Sequence, residues 1–157
     1  MLTPIEKETN YETLRHIERV RNLLNVCIVE LLRRGELHDQ TKLEPPELEA
    51  FVRYTPKLAG CTYGSDEYNA LLKELKPALD HHYANSRHHP EHHKCGITDM
   101  TLLDLVEMLC DWKAASERHN DGNIRKSIEV NARRFDMSPQ LQYIFENTAD
   151  LLFSSAR

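Results

Sequence analysis

The feature that most constrains this fold is the spacing of apolar residues in the first part of the chain. From about Asn10 to Arg34, apolar side chains recur every three or four residues, which places them along one face of a helix. The stripe consists of Leu14, Ile17, Val20, Leu24, Cys27, Ile28 and Leu31. Thr9 or Asn10 can cap the start of this helix, and Gly35 can end it.

Further segments repeat the helical pattern along the rest of the chain. We predict helices that start near Pro46, after Ser65 or Asp66, at a Thr98 or Asp99 cap, near Asn123 and at Ser138-Pro139. Counted from the N-terminus, the third helix of the chain, which starts after Ser65 or Asp66, is expected to be kinked or interrupted at Pro77. The fourth helix is expected to reach about His119, and the fifth about Phe135. A turn is predicted at Asn120-Asp121-Gly122. All-β proteins need more turn residues than 5 glycines and 7 prolines in 157 residues. We therefore predict an all-α fold, a compact bundle of five to six helices that forms a single domain over residues 1–157.

Composition and charge limit what the protein is expected to bind and the cellular compartment in which it is expected. The net charge of -5 argues against a protein that binds long nucleic acids without specificity. No apolar run approaches the roughly 18–20 residues of a membrane span, and the N-terminus does not resemble a signal peptide. The four cysteines include no Cys-x-x-Cys pair, and Cys27 and Cys110 are expected to be reduced core residues. These features predict a cytoplasmic protein that does not bind membranes.

Histidine is the exceptional residue type, with nine in the chain and six of them between His81 and His93. Histidine nitrogens and carboxylate oxygens are the ligands of divalent transition metals. The candidate ligands are His16, His38, Asp39, His81, His82, His88, His89 and Asp111. Each has a simpler explanation when taken alone: a histidine at the core boundary, a helix cap, or a solvated loop. Asp111 lies at the margin of an apolar helix face, where a carboxylate needs a partner.

The order of these residues resembles the HD-domain superfamily of metal-dependent phosphohydrolases. His38-Asp39-x-x-Lys42 is similar to the His-Asp-x-x-Lys motif of HD-GYP-type phosphodiesterases, and His88-His89 followed by Glu91 is similar to their His-His-Glu element. Asp111 matches the closing ligand, and Glu12 lies where some members place an extra metal-binding glutamate. The Gly-Tyr-Pro signature is absent, and His88 comes only six positions after His82.

The resemblance implies an all-α fold and a divalent metal site. One ion would be held by His16, His38, Asp39 and Asp111; a second would recruit His82 and His88, with His89 as a further candidate and Asp39 bridging. Manganese, iron, cobalt or nickel would be the metal, with magnesium or zinc as alternatives. The expected reaction is hydrolysis of a small phosphorylated molecule, a nucleotide for example, by metal-activated water.

Catalytic and substrate-binding roles follow from the same resemblance. Asp39 or Asp111 would orient the water, and Lys42 and Arg87 are the candidates for binding phosphate. Two other functions remain open. The same ligand set serves di-iron oxygenases, and a helical interaction protein could hold a purely structural metal. The apolar stripe near the C-terminus also leaves a homodimer open.

Overall fold

The computed structural model describes residues 2–61, 65–118 and 122–153. These residues form six α-helices and contain no β-strand, so the prediction of an all-α fold is confirmed. The helices are α1 (Pro4–Leu37), α2 (Glu47–Ala59), α3 (Asp66–Asn85), α4 (Leu102–Ser116), α5 (Ile124–Arg134) and α6 (Pro139–Phe153). Three short 3-10 helices, Gln40–Leu43, Pro90–His92 and Gly96–Asp99, lie in the connections.

The chain divides into two compact units, Met1–Leu37 and His38–Arg157. This division does not test whether residues 1–157 form a single domain, which stays a prediction. The first unit is essentially α1, which begins six residues earlier than predicted. Thr3 and Glu6 form reciprocal hydrogen bonds at its start, and Pro4 stands at the first helical position. At its other end, the helix continues through Gly35 to Leu37.

The second unit contains two hydrophobic clusters. One lies between α2 and α3 and is built on Tyr54, Leu75 and Ala78. The other joins α4, α5 and α6, and its buried members are Leu105, Met108, Leu109, Trp112, Ile128, Ala132, Met137, Phe145 and Ala149. The loop between α3 and α4, which connects the two clusters, carries the candidate metal ligands His88 and His89.

Helix caps explain where the helices of the second unit begin. Ser65 caps α3 by accepting from the Tyr68 N–H, and Asn123 caps α5. The prediction for the fourth helix was wrong in position: Thr101 and Asp104 form a capping box, while residues 98 and 99 belong to the preceding 3-10 helix.

Two further expectations differ from the structure. Pro77 does not interrupt α3, which runs continuously from Asp66 to Asn85. Cys27 and Cys110 are exposed and not core residues. The predicted end of the fourth helix at His119 and residues 120 and 121 of the predicted turn lie outside the described residues. Within those residues, no helix has the length and apolar character to cross a bilayer.

Candidate metal centre

Side chains from four parts of the second unit converge on one place. His38 and Asp39 come directly before the 3-10 helix Gln40–Leu43, His82 from the last turn of α3, and His88 and His89 from the loop that follows it. From α4, Glu107 and Asp111 face the same place. Asp39 has a φ of 57°, a left-handed conformation that few residues other than glycine adopt. Such backbone strain is concentrated at functional sites.

The largest group of ligand atoms consists of Asp39, His82, His88 and His89. The His82 Nε2 atom lies 3.0 Å from His89 Nε2 and 3.2 Å from Asp39 Oδ1. The His88 Nε2 atom lies 3.7 Å from the same Asp39 oxygen. Ligands about 2.0–2.2 Å from a tetrahedral ion lie about 3.3–3.6 Å from one another. The spacing therefore fits one divalent ion after small adjustments.

A second group is formed by His38, Asp39 and Asp111. The Nε2 atom of His38 lies 3.6 Å from Asp39 Oδ2 and 3.7 Å from Asp111 Oδ1. The two oxygens of Asp39 thus face different groups, Oδ1 the first and Oδ2 the second. A carboxylate in this arrangement is able to bridge two ions.

The ring of His82 is oriented by a buried carboxylate. Glu47, which is 0% exposed at the start of α2, has Oε2 at 3.0 Å from His82 Nδ1. The Thr41 hydroxyl donates to the same oxygen, and His81 Nδ1 contacts Oε1 at 2.7 Å. A carboxylate accepts hydrogen bonds, so a neutral His82 donates its Nδ1–H and keeps the lone pair of Nε2 for the cluster.

Glu107 orients two further rings in the same way. Its Oε1 atom lies 3.0 Å from His38 Nδ1 and 3.2 Å from His88 Nδ1. Both imidazoles therefore turn their Nε2 atoms toward the cluster. Two polar atoms there, Asp39 Oδ1 and His88 Nε2, are buried and find no hydrogen-bond partner among the described residues. Because burying an unsatisfied polar atom is costly, the pair of atoms is suited to a ligand between them.

The surroundings of His38 and His89 shift their pKa values in opposite directions. Hydrogen bonds to Asp111 and Glu107 raise the pKa of His38 to about 10. Burial, together with the neighbouring His88 and His82, lowers the pKa of His89 to about 3, so this ring is neutral and ready to coordinate. Burial opposes ionisation of Asp39, but the close approach of the His82 ring and the hydrogen bond from the Lys42 ammonium outweigh it and hold the pKa of Asp39 well below its usual range.

Comparison with known proteins identifies the family of the chain. A sequence model described as a family of unknown function, DUF5662, matches residues 5–151. The chain belongs to the DUF5662 family. No curated protein and no solved structure gives a significant match. What this DUF5662 protein does must therefore be argued from its own residues.

The structure of the DUF5662 protein brings six of the predicted ligands together: His38, Asp39, His82, His88, His89 and Asp111. Glu12 and His16 belong to the first unit and are exposed on α1, where Glu12 pairs with Arg15 at 3.1 Å. The groups of ligand atoms found among the described residues include neither of them.

The two predicted phosphate-binding residues have partners within the protein. Lys42 Nζ lies 2.6 Å from Asp39 Oδ2, at the edge of the cluster. Arg87 pairs with Asp104, a carboxylate that is 0% exposed and also completes the capping box of α4. Arg87 thus compensates a buried charge, whereas Lys42 lies beside a candidate ligand.

Other histidines of the His-rich stretch have local partners. His92 Nδ1 contacts the Tyr83 carbonyl at 2.9 Å, and His93 Nε2 contacts the Arg87 carbonyl at 2.9 Å. Both help to hold the loop that presents His88 and His89. His81 contacts Glu47 and supports the cluster from outside.

Sequence reasoning missed Glu47 and gave Glu107 no role. Glu107 lies four residues before Asp111, which puts the two carboxylates on one face of α4 and offers a usable signal. The sequence gives no comparable signal for Glu47. Its contact with His82 depends on the packing of α2 against α3, which joins residues 35 positions apart.

Proposed function

We propose that this DUF5662 protein is a metal-dependent phosphohydrolase of HD type that acts on a small phosphorylated substrate, a nucleotide. The observation that carries the proposal is the pair of buried, unpartnered atoms, Asp39 Oδ1 and His88 Nε2, in the middle of the ligand cluster. Two inward-facing lone pairs without a donor are expected where a cation belongs.

The chemistry of the donor set fits a divalent transition metal. Imidazole and carboxylate ligands with no thiolate suit manganese, iron, cobalt, nickel or zinc. One ion would be held by Asp39, His82, His88 and His89, and a second by His38, Asp39 and Asp111. Bound there, the ions would lower the pKa of a coordinated water and neutralise the phosphate oxygens of a substrate.

The protein side chains supply orientation and charge balance. Glu47 and Glu107 orient the rings of His82, His38 and His88, so that their Nε2 atoms already face the place where an ion would bind. Lys42 lies 2.6 Å from Asp39, and with Asp39 held by an ion its ammonium would be available to contact phosphate as a point charge.

The test combines elemental analysis with an assay of phosphate release. Purified protein is expected to contain a transition metal, and manganese, iron, cobalt, nickel and magnesium are compared as activators with a panel of nucleotides and sugar phosphates. Asp39→Ala is expected to abolish metal-dependent release and to leave the helical circular dichroism spectrum unchanged. Asp80→Asn is the matched control, because Asp80 is an exposed carboxylate that pairs with Lys76 outside the cluster.

Two results would contradict the proposal. Metal binding that survives both Asp39→Ala and His38→Ala would mean that the ion lies elsewhere. A protein that retains iron, consumes oxygen and releases no phosphate would favour oxygenase chemistry on the same ligands.

A further inference from the structure

A cavity of about 560 Å³ opens beside the metal-ligand cluster. Two of the residues that line it, His89 and Asp111, also belong to the cluster. The remaining wall comes largely from α4 and α5, together with Tyr68 and Tyr83 of α3 and the residues Pro90 and Glu91. Its volume lies in the range of sites for small organic ligands, about 300–1,000 Å³. A molecule that fills this cavity touches the candidate ligands.

Among the described charged residues that line the cavity, one cationic side chain is not engaged in an ion pair. Arg134 is paired with Glu91 at 2.7 Å, and Asp111 faces His38. Among the described residues around the cavity, Lys126 alone of the charged side chains has no ion-pair partner. Lys126 lies in the first turn of α5, where the helix dipole adds partial positive charge. This wall of the cavity therefore favours an anion.

The other walls favour a flat ring with polar edges. Tyr83, Trp112 and Phe135 contribute aromatic side chains, and the rings of Trp112 and Phe135 are nearly parallel, with centroids 6.4 Å apart. Asn131 donates its amide to the Ser127 carbonyl at 3.0 Å, which leaves its own side-chain oxygen as an acceptor for a ligand. Aromatic rings stack on planar heterocycles, and amide groups form hydrogen bonds with the polar atoms at the edges of such rings.

We propose that this cavity is the substrate pocket and that Lys126 binds the anionic group of a phosphate ester carrying a flat, polar ring, as a nucleoside monophosphate does. The inference deepens the proposed function and rests on it for the reaction. The binding step is independent of hydrolysis. Lys126 is a different residue from the two phosphate-binding candidates that the sequence suggested.

Trp112 provides a reporter for occupancy, because it is the only tryptophan of the chain and lines the cavity. The experiment titrates metal-depleted and magnesium-loaded full-length protein with AMP, GMP, CMP and UMP while the tryptophan fluorescence is recorded. At least one of these nucleotides is expected to change the fluorescence with saturation. The corresponding nucleoside, which lacks the phosphate, is expected to bind roughly tenfold more weakly or worse.

Lys126→Met tests the role of the cation, and Lys113→Met is the matched control. Lys113 lies on α4 next to Trp112, but it pairs with Glu117 at 2.5 Å and does not line the cavity. Lys126→Met is expected to weaken nucleotide binding about tenfold or more, while binding of the nucleoside and the metal content stay unchanged. Lys113→Met is expected to bind like the unmodified protein.

The outcomes separate this inference from the proposed function. Saturable binding that depends on Lys126, without phosphate release under any metal, supports the pocket and contradicts the hydrolase. Phosphate release whose KM is insensitive to Lys126→Met, without a change in Trp112 fluorescence, contradicts the pocket and leaves the hydrolase standing. Binding of inorganic phosphate as tightly as of every nucleotide would overturn the role given to the aromatic wall.

Discussion

Replacement of Glu47 tests how the protein prepares its histidines for a metal. The Glu47 carboxylate is fully buried and is contacted by His82 Nδ1 at 3.0 Å, His81 Nδ1 at 2.7 Å and the Thr41 hydroxyl at 3.0 Å. Glu47→Ala removes all three contacts. His81 has a side chain that is 42% exposed and can turn to water, but His82 is 1% exposed and cannot.

The size of the effect follows from this difference in exposure. Without Glu47, the buried Nδ1–H of His82 keeps only the neutral hydroxyls of Thr41 and Ser86 within reach, at 3.2 and 3.3 Å. Loss of the hydrogen bond to the charged carboxylate is expected to lower the free energy of unfolding by about 1–3 kcal/mol. Loss of the carboxylate that orients a metal-binding imidazole weakens metal affinity roughly 10–100-fold. In Glu47→Gln the amide oxygen can still accept from His82, while the amide nitrogen donates to His81. The expected order of metal affinity is therefore unmodified protein, then Glu47→Gln, then Glu47→Ala.

Metal affinity is measured by competition with a chromogenic chelator, and stability by urea unfolding of the metal-free protein. Glu49→Ala serves as the control, because Glu49 is an exposed carboxylate in the same helical turn. If Glu47→Ala bound metal as tightly as the unmodified protein, Glu47 would not orient His82 and this reasoning would be refuted. A Glu47→Gln variant as weak as Glu47→Ala would show that the negative charge matters, and not the acceptor geometry.

Three further predictions concern the core and the His-rich loop. Ile128→Ala is expected to lower the free energy of unfolding by about 2–5 kcal/mol in urea, because Ile128 is 0% exposed between α4, α5 and α6; a loss well under 1 kcal/mol would contradict the packing. His88→Ala is expected to reduce the metal content measured by elemental analysis, whereas His92→Ala leaves it unchanged because His92 contacts the Tyr83 carbonyl; equal losses would mean that the loop is arranged differently. Arg87→Met is expected to lower the free energy of unfolding by about 1–3 kcal/mol without changing KM, because its partner is the buried Asp104; a raised KM at unchanged stability would restore Arg87 as a phosphate ligand.

Local sequence signals were enough to predict the helices, but not all of their ends. The apolar spacing predicted all six, and the third was expected to start after Ser65 or Asp66, where Ser65 caps α3. The start of α4 was misplaced even though Thr101 and Asp104, three residues apart, match the capping-box pattern in the sequence, which Thr98 does not. The exposure of Cys27 and Cys110 also could not be read from periodicity, since it depends on which faces are packed.

For the candidate site too, residues marked by a sequence pattern could be predicted, whereas residues brought in by helix packing could not. The order of His38, Asp39, His88 and Asp111 suggested a shared site, and the structure brings these side chains into adjoining groups. Glu47 could not be inferred, because nothing near it in the sequence marks it as a partner of His82. The same holds for Lys126, whose place in the cavity depends on the packing of α5 beside α4.

The central claim, that these histidines and carboxylates hold a metal ion, is tested most directly by anomalous diffraction at the absorption edge of the bound metal. Crystals of the metal-loaded protein are expected to show a peak within about 2.0–2.4 Å of Asp39 Oδ1 and the Nε2 atoms of His82 and His88. An occupied second position would give a further peak beside His38 and Asp111. Peaks confined to His92 and His93, with none at Asp39, would contradict the account.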